Sequence, residues 1–90
     1  MAASREDIEV WFDRGVEQGE THMIVVCDTY DHDDYPVFAN GNTDVLEKHA
    51  HYDSGAGMQR VMEVYDLRAN KCEQMNEHRV MRLPQPPNTV

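Results

Sequence analysis

Positive charge is scarce in this chain. Eight Lys and Arg stand against 17 Asp and Glu, a formal net charge of −9 over 90 residues. A field of that sign repels polyanions, so direct nucleic-acid binding and adhesion to anionic membranes are not expected, and basic partners or cations are favoured. Cysteine is nearly absent too. Cys27 and Cys72 lie far apart with no CxxC spacing, which removes the common zinc-ribbon and dithiol patterns and predicts reduced thiols in a cytoplasmic setting. No apolar run approaches the roughly 18 residues of a membrane span, and the start MAASREDIE lacks the apolar core of a signal peptide. Three of the four prolines crowd into the tail LPQPPNTV, so residues 84 to 90 are expected to be extended or disordered. Residues 1 to 83 are expected to form a single domain, since a chain this short can bury only one core.

What the chain does have is acid, unevenly spread. Residues 1 to 20 carry two Arg against six acids, residues 21 to 53 one Lys against seven, and residues 54 to 90 five basic groups against four acids. The densest cluster adjoins the longest apolar run, in HMIVVCDTYDHDDYPVFAN from His22 to Asn40. Met23 to Cys27 is continuously apolar, as in a central strand buried on both faces. Asp28 to Asp34 reads as the connection of a β-hairpin, and Tyr35 to Ala39 as a returning edge strand that tolerates Pro36.

Upstream, Ser4 and Asp7 have the spacing of a capping box. Ile8, Trp11, Phe12, Gly15 and Val16 then form one helical stripe, in which Gly15 would allow close approach to a sheet and Gly19 would stop the helix. After the turn Asn40-Gly41-Asn42, a second helix capped by Asn42 or Thr43 is predicted to run to about Tyr52, with Val45, Leu46, His49 and Ala50 on one side. Met58 to Leu67 reads as a third strand, with helix as the rival reading. A short third helix begins at Asp66 or Asn70 and carries Cys72, Met75, Arg79 and Val80. The expected fold is α+β: a small three-stranded antiparallel sheet of order 2-1-3, elements in the order αββαβα, and helices packed on one face.

Asp28, Asp31, Asp33 and Asp34, with His32 among them, offer hard oxygen ligands, but the spacing misses the calcium-loop pattern with its Gly and terminal Glu. Four Asp in a turn also serve simply to reverse a solvated chain. His49 and His51 are two apart and diverge on a helix, so a zinc site would require distant residues such as His32, Asp28 and His78 to converge. Cys27 in an apolar strand is the opposite of an activated thiolate, and Ser54-Gly-Ala-Gly lacks the order of a nucleophile elbow. No catalytic residue, cofactor or metal is assigned on these grounds. Tyr30 and Tyr35 flank the acids, and tyrosine is a frequent contact residue at protein interfaces.

The stretches WFDRGVEQG, THMIVVCDTYDHDDYPV and GMQRVMEVYDL, over about residues 11 to 67, resemble a group of small proteins of phage and bacterial genomes. That group has similar W-F, T-H-M-I-V-V-C-D-T and D-Y-P-V segments and no established activity. The resemblance implies an accessory gene of phage or mobile-element type. The functional expectation is a non-enzymatic interaction module. In it Asp28, Tyr30, Asp31, Asp33, Asp34 and Tyr35 bind a basic surface on a partner protein, with inhibition of a nucleic-acid-binding host or defence protein as one outcome. The alternative is a small-ligand or divalent-metal-binding protein, extending to a metal-assisted nucleotide hydrolase with Asp28, Asp31, His32 and Asp33 as ligands. A homodimer through the edge strand Tyr35 to Ala39 is a third expectation, opposed by Pro36.

Overall fold

In the computed structural model, which describes residues 4–54 and 57–84, the capping box forms as spelled. The Ser4 hydroxyl accepts from the Asp7 amide at 3.1 Å and the Asp7 carboxylate accepts from the Ser4 amide at 3.2 Å. This opens helix α1, Arg5–Glu17. At its other end Gly19 sits at φ 75°, and the Gly19 and Glu20 amides donate to the carbonyls of Val16 and Gly15, the paired bonds of a glycine-terminated helix. Ser4→Ala is expected to cost about 1 kcal/mol, a fall of about 4–8 °C in Tm. An unchanged melting curve would show that packing alone fixes the helix start.

The remaining elements are β1 (His22–Asp28), β2 (Asp33–Ala39), α2 (Asn42–Asp53), β3 (Gln59–Asp66) and α3 (Lys71–Met75). The strands form one antiparallel sheet in the order β2-β1-β3, so the α+β class, the αββαβα order and the central place of the apolar run are as the sequence predicts. The placement of the helices is corrected. Met23 and Val25 pack with Ile8 and Phe12 of α1, Tyr65, Leu67 and Val80, and Met75 of α3 joins them. Ile24 and Val26 pack on the opposite side with Val45 of α2, Ala39, Val61 and Val64. The helices therefore cover both faces, as a strand with apolar side chains on both sides demands.

Gly15 lies where α1 meets the sheet. A Cβ there would fall 2.6 Å from Leu67 Cδ1 and 2.7 Å from Phe38 Cε1, so the close approach read from the sequence is real. Val16, expected on the same stripe, is exposed instead. Helix α2 starts without a side-chain cap, contrary to expectation, because other groups hold its entry. The Thr21 hydroxyl accepts from the Gly41 amide at 2.7 Å and the Asp44 carboxylate from the Asn40 amide at 2.8 Å. Ala50, assigned to its inner side, is exposed. Helix α3 ends at Met75, short of Arg79 and Val80, and Asn70 caps it by accepting from the Glu73 amide at 2.9 Å.

Between Val25 and Val26 the β1–β3 register shifts: Val25 faces Glu63 while Val26 faces Val61. Met62 is the extra residue of a β-bulge, which re-aims side chains. Met62 and Glu63 both turn to the α1 side, where Met62 joins the core and the Glu63 carboxylate accepts from the Tyr65 hydroxyl at 2.8 Å.

Both sheet edges are closed. Along β3, the side-chain amide of Gln74 donates to the Asp66 carbonyl and its oxygen accepts from the Asp66 amide, each at 2.8 Å. The Val64 amide donates to Val80 and its carbonyl accepts from Arg82, each at 2.9 Å, and Arg79 Nε donates to the Met62 carbonyl at 3.0 Å. Residues 74 to 82 thus stand in for a fourth strand. Along β2, the Phe38 carbonyl faces outward and accepts from Lys48 Nζ at 3.0 Å. Two residues earlier Pro36 faces the same way and has no donor. Strand pairing with a second copy through Tyr35 to Ala39 is therefore obstructed at both positions. Leu83, the last residue of the expected domain, packs against the α2-side core. Residues 85 to 90 of the expected tail lie outside the described residues.

Candidate functional site

The connection between β1 and β2 is only Thr29–His32, because the ladder continues to the pair Asp28 and Asp33. Asp33 and Asp34 belong to β2 rather than to a loop. Asp28 organises the turn: its Oδ1 accepts from the amides of Tyr30 at 2.8 Å and Asp31 at 3.4 Å, and its carbonyl from His32 at 2.7 Å. His32 closes the reversal at φ 59°, a left-handed conformation that costs a non-glycine residue of order 1 kcal/mol.

The six expected site residues separate in space. Tyr30 is 74% exposed at the apex, and Asp31 and Asp33 are exposed beside it. Asp34 turns to the α1 side, opposite Cys27 in the ladder. Tyr35 turns to the other side, packing toward α2 and accepting at its hydroxyl from Gln59 Nε2 at 2.8 Å. Burial raises the Tyr35 hydroxyl above the ordinary tyrosine range, with Tyr52 adding to the effect. Tyr35 is thus a packing residue, and the solvent-facing tip is Tyr30, Asp31 and Asp33 on the frame set by Asp28.

Sequence reasoning missed Met58. The sequence pattern places it at the start of the third strand, yet it precedes β3 at φ 55° and is 57% exposed. Its carbonyl accepts from the Thr29 amide at 2.8 Å, which fixes it beside the turn. No sequence signal reports that bond, since it joins two connections distant along the chain.

Among the described residues, no group of three or more His, Cys, Asp and Glu is placed to hold a metal ion. The Cys27 thiol is pushed above its ordinary pKa by burial and by the neighbouring Asp34, which opposes thiolate chemistry. His22 is buried, with Nδ1 at 2.8 Å from the Thr21 hydroxyl and Nε2 at 3.4 Å from Arg68. Burial lowers its pKa, Arg68 lowers it further and Asp66 opposes the change. It is a neutral, structural imidazole at ordinary pH. No helix among the described residues is long and apolar enough to cross a membrane.

A second polar cluster lies on the α1 side. Arg5 donates to the Tyr65 hydroxyl at 3.2 Å, Tyr65 donates to Glu63, and the other Glu63 oxygen accepts from the Val80 amide at 3.0 Å. Burial and the Glu63 carboxylate push the Tyr65 hydroxyl far above its ordinary range, so it remains a donor to Glu63 at any physiological pH. No family model matches the chain, and neither does any curated protein or solved structure.

Proposed function

We propose that the protein is a non-enzymatic binding module whose hairpin tip docks onto a basic surface of a partner protein, with Tyr30 and Met58 as apolar anchors and Asp31 and Asp33 as the charged rim. The supporting observation is the exposure of Tyr30 and Met58, two large side chains set beside acids on a rigidly hydrogen-bonded turn. Anchors of this type, ringed by polar groups, carry most of the energy at protein interfaces. The tip also contradicts simple stability. Asp28 and Asp33 stand directly opposite each other, and like charges so paired weaken a sheet. His32 and Met58 adopt left-handed backbone, and conformations of that kind concentrate where a segment serves binding. The proposal includes an accessory role of phage or mobile-element type, in which the partner is a nucleic-acid-binding protein with a basic face.

The test is an NMR titration of the full chain with a short peptide that alternates Arg and Leu. Amide shifts are expected to concentrate at residues 28 to 33 and 57 to 59, and binding is expected to weaken as salt rises. Tyr30→Ala should weaken binding by about tenfold, the equivalent of about 1.4 kcal/mol, and Asp31→Asn with Asp33→Asn should remove much of the salt dependence. Shifts spread evenly over the acids of α1 and α2, or indifference to Tyr30→Ala, would reduce the tip to ordinary solvated acid.

A further inference from the structure

A cleft of about 440 Å3 opens on the α1 side of the sheet, within the range of roughly 300–1,000 Å3 usual for small-molecule sites. Its apolar lining comes from Ile8, Val25 and Met62, and its polar walls include Arg5 at the start of α1 and Arg79 beyond α3. The β-bulge makes this floor, because it brings Met62 onto the same side as Val25.

The hydrogen-bond balance of the walls is lopsided. Each guanidinium has several N–H donors in a planar fork. Arg5 directs one to the Tyr65 hydroxyl and Arg79 directs its Nε to the Met62 carbonyl. Neither takes part in the ion pairs that join Lys48 to Asp44, Arg68 to Asp66, Lys71 to Asp13 and Arg82 to Glu77. The acids of the cleft are already engaged. Both Glu63 oxygens accept from Tyr65 and Val80, and Asp34 interacts with Cys27 beside Arg60. Spare donors around an apolar floor call for a ligand that brings acceptors on an apolar body. In a chain with 17 acids and eight bases, two arginines that line one cleft and stand outside the ion pairs found among the described residues are an arrangement that solubility does not require.

We infer that this cleft binds a small aryl carboxylate, its ring against the half-buried Met62 that covers Ile8 and Val25 and its carboxylate held by Arg79 and Arg5. The site is independent of the hairpin tip. Guanidinium forks match carboxylates in two parallel hydrogen bonds, and the charge assists both.

The probes are benzoate, benzyl alcohol and benzylamine, titrated separately into the isotope-labelled full chain and followed by amide shifts. Benzoate is expected to shift the amides of Ile8, Val25 and Met62 along saturable curves, leaving Tyr30 and Asp31 unmoved, and to bind at least about tenfold more tightly than either other probe. Arg79→Gln, at an exposed side chain, should weaken benzoate by about tenfold with the spectrum otherwise retained. Arg5→Gln, on a separate element, should repeat that loss and provides the reading if the first variant loses its dispersed spectrum. Equal binding of the three probes, absence of saturable shifts, or unchanged benzoate affinity in the variants would overturn the inference.

Discussion

Gln74→Leu is expected to destabilise the protein by about 2–6 kcal/mol, a fall in Tm of at least about 8 °C for a chain of this size. Gln74 is fully buried, and its side chain behaves as a stretch of strand, bonding both the amide and the carbonyl of Asp66 and also the Asn70 carbonyl at 3.2 Å. Leucine fills nearly the same volume, so the substitution isolates the polar role: two backbone groups at the β3 edge lose their partners inside the protein. Each unsatisfied group costs about 1–3 kcal/mol, and small domains hold only about 5–15 kcal/mol in total. Urea unfolding measures the loss directly. A change below about 1 kcal/mol would mean that water takes over both bonds.

Met23→Ala and Ile24→Ala are expected to cost about 2–5 kcal/mol each. The two residues are neighbours on β1, both fully buried, with side chains in separate clusters on opposite faces of the sheet. Truncating either leaves a cavity that the surrounding packing fills only in part. The comparison distinguishes the two-faced arrangement from a sheet covered on one side, in which only one of the pair would be costly. Unfolding curves in which one variant matches the parent protein would contradict helices on both faces.

The apolar run Met23 to Cys27 announced both its strand and its central position, because only a strand paired on each side and covered on each face accommodates five consecutive apolar residues. The same run already implied helices on both faces, yet α1 and α2 have sparse apolar stripes, and the sequence alone favoured the simpler one-sided layer. Ser4, Asp7, Gly15 and Gly19 were legible because each acts through local geometry. Gln74 was not, since a buried glutamine acting as a strand edge looks no different from a solvated one until Asp66 lies beside it. Met62 was hidden similarly: alternation continues through a bulge on paper, and only pairing with β1 reveals the extra residue. At the candidate site the acids of the tip were readable, but strand pairing carried Asp34 and Tyr35 to opposite faces. Met58, Arg5 and Arg79 gained their places through contacts between segments distant along the chain.

The central position of β1 also bears on aggregation. Met23 to Cys27 is uncharged, free of proline and rich in β-formers, the composition of segments that stack into fibrils when exposed. Here it is flanked by β2 and β3 and sandwiched between two helical layers, and the outer edges beyond it are blocked by Pro36, Lys48 and residues 74 to 82. Fraying at the ends or breathing of the hairpin tip does not uncover it. Self-association of this segment is therefore gated by global unfolding, and fibril nucleation should follow the protein's thermodynamic stability rather than its local flexibility.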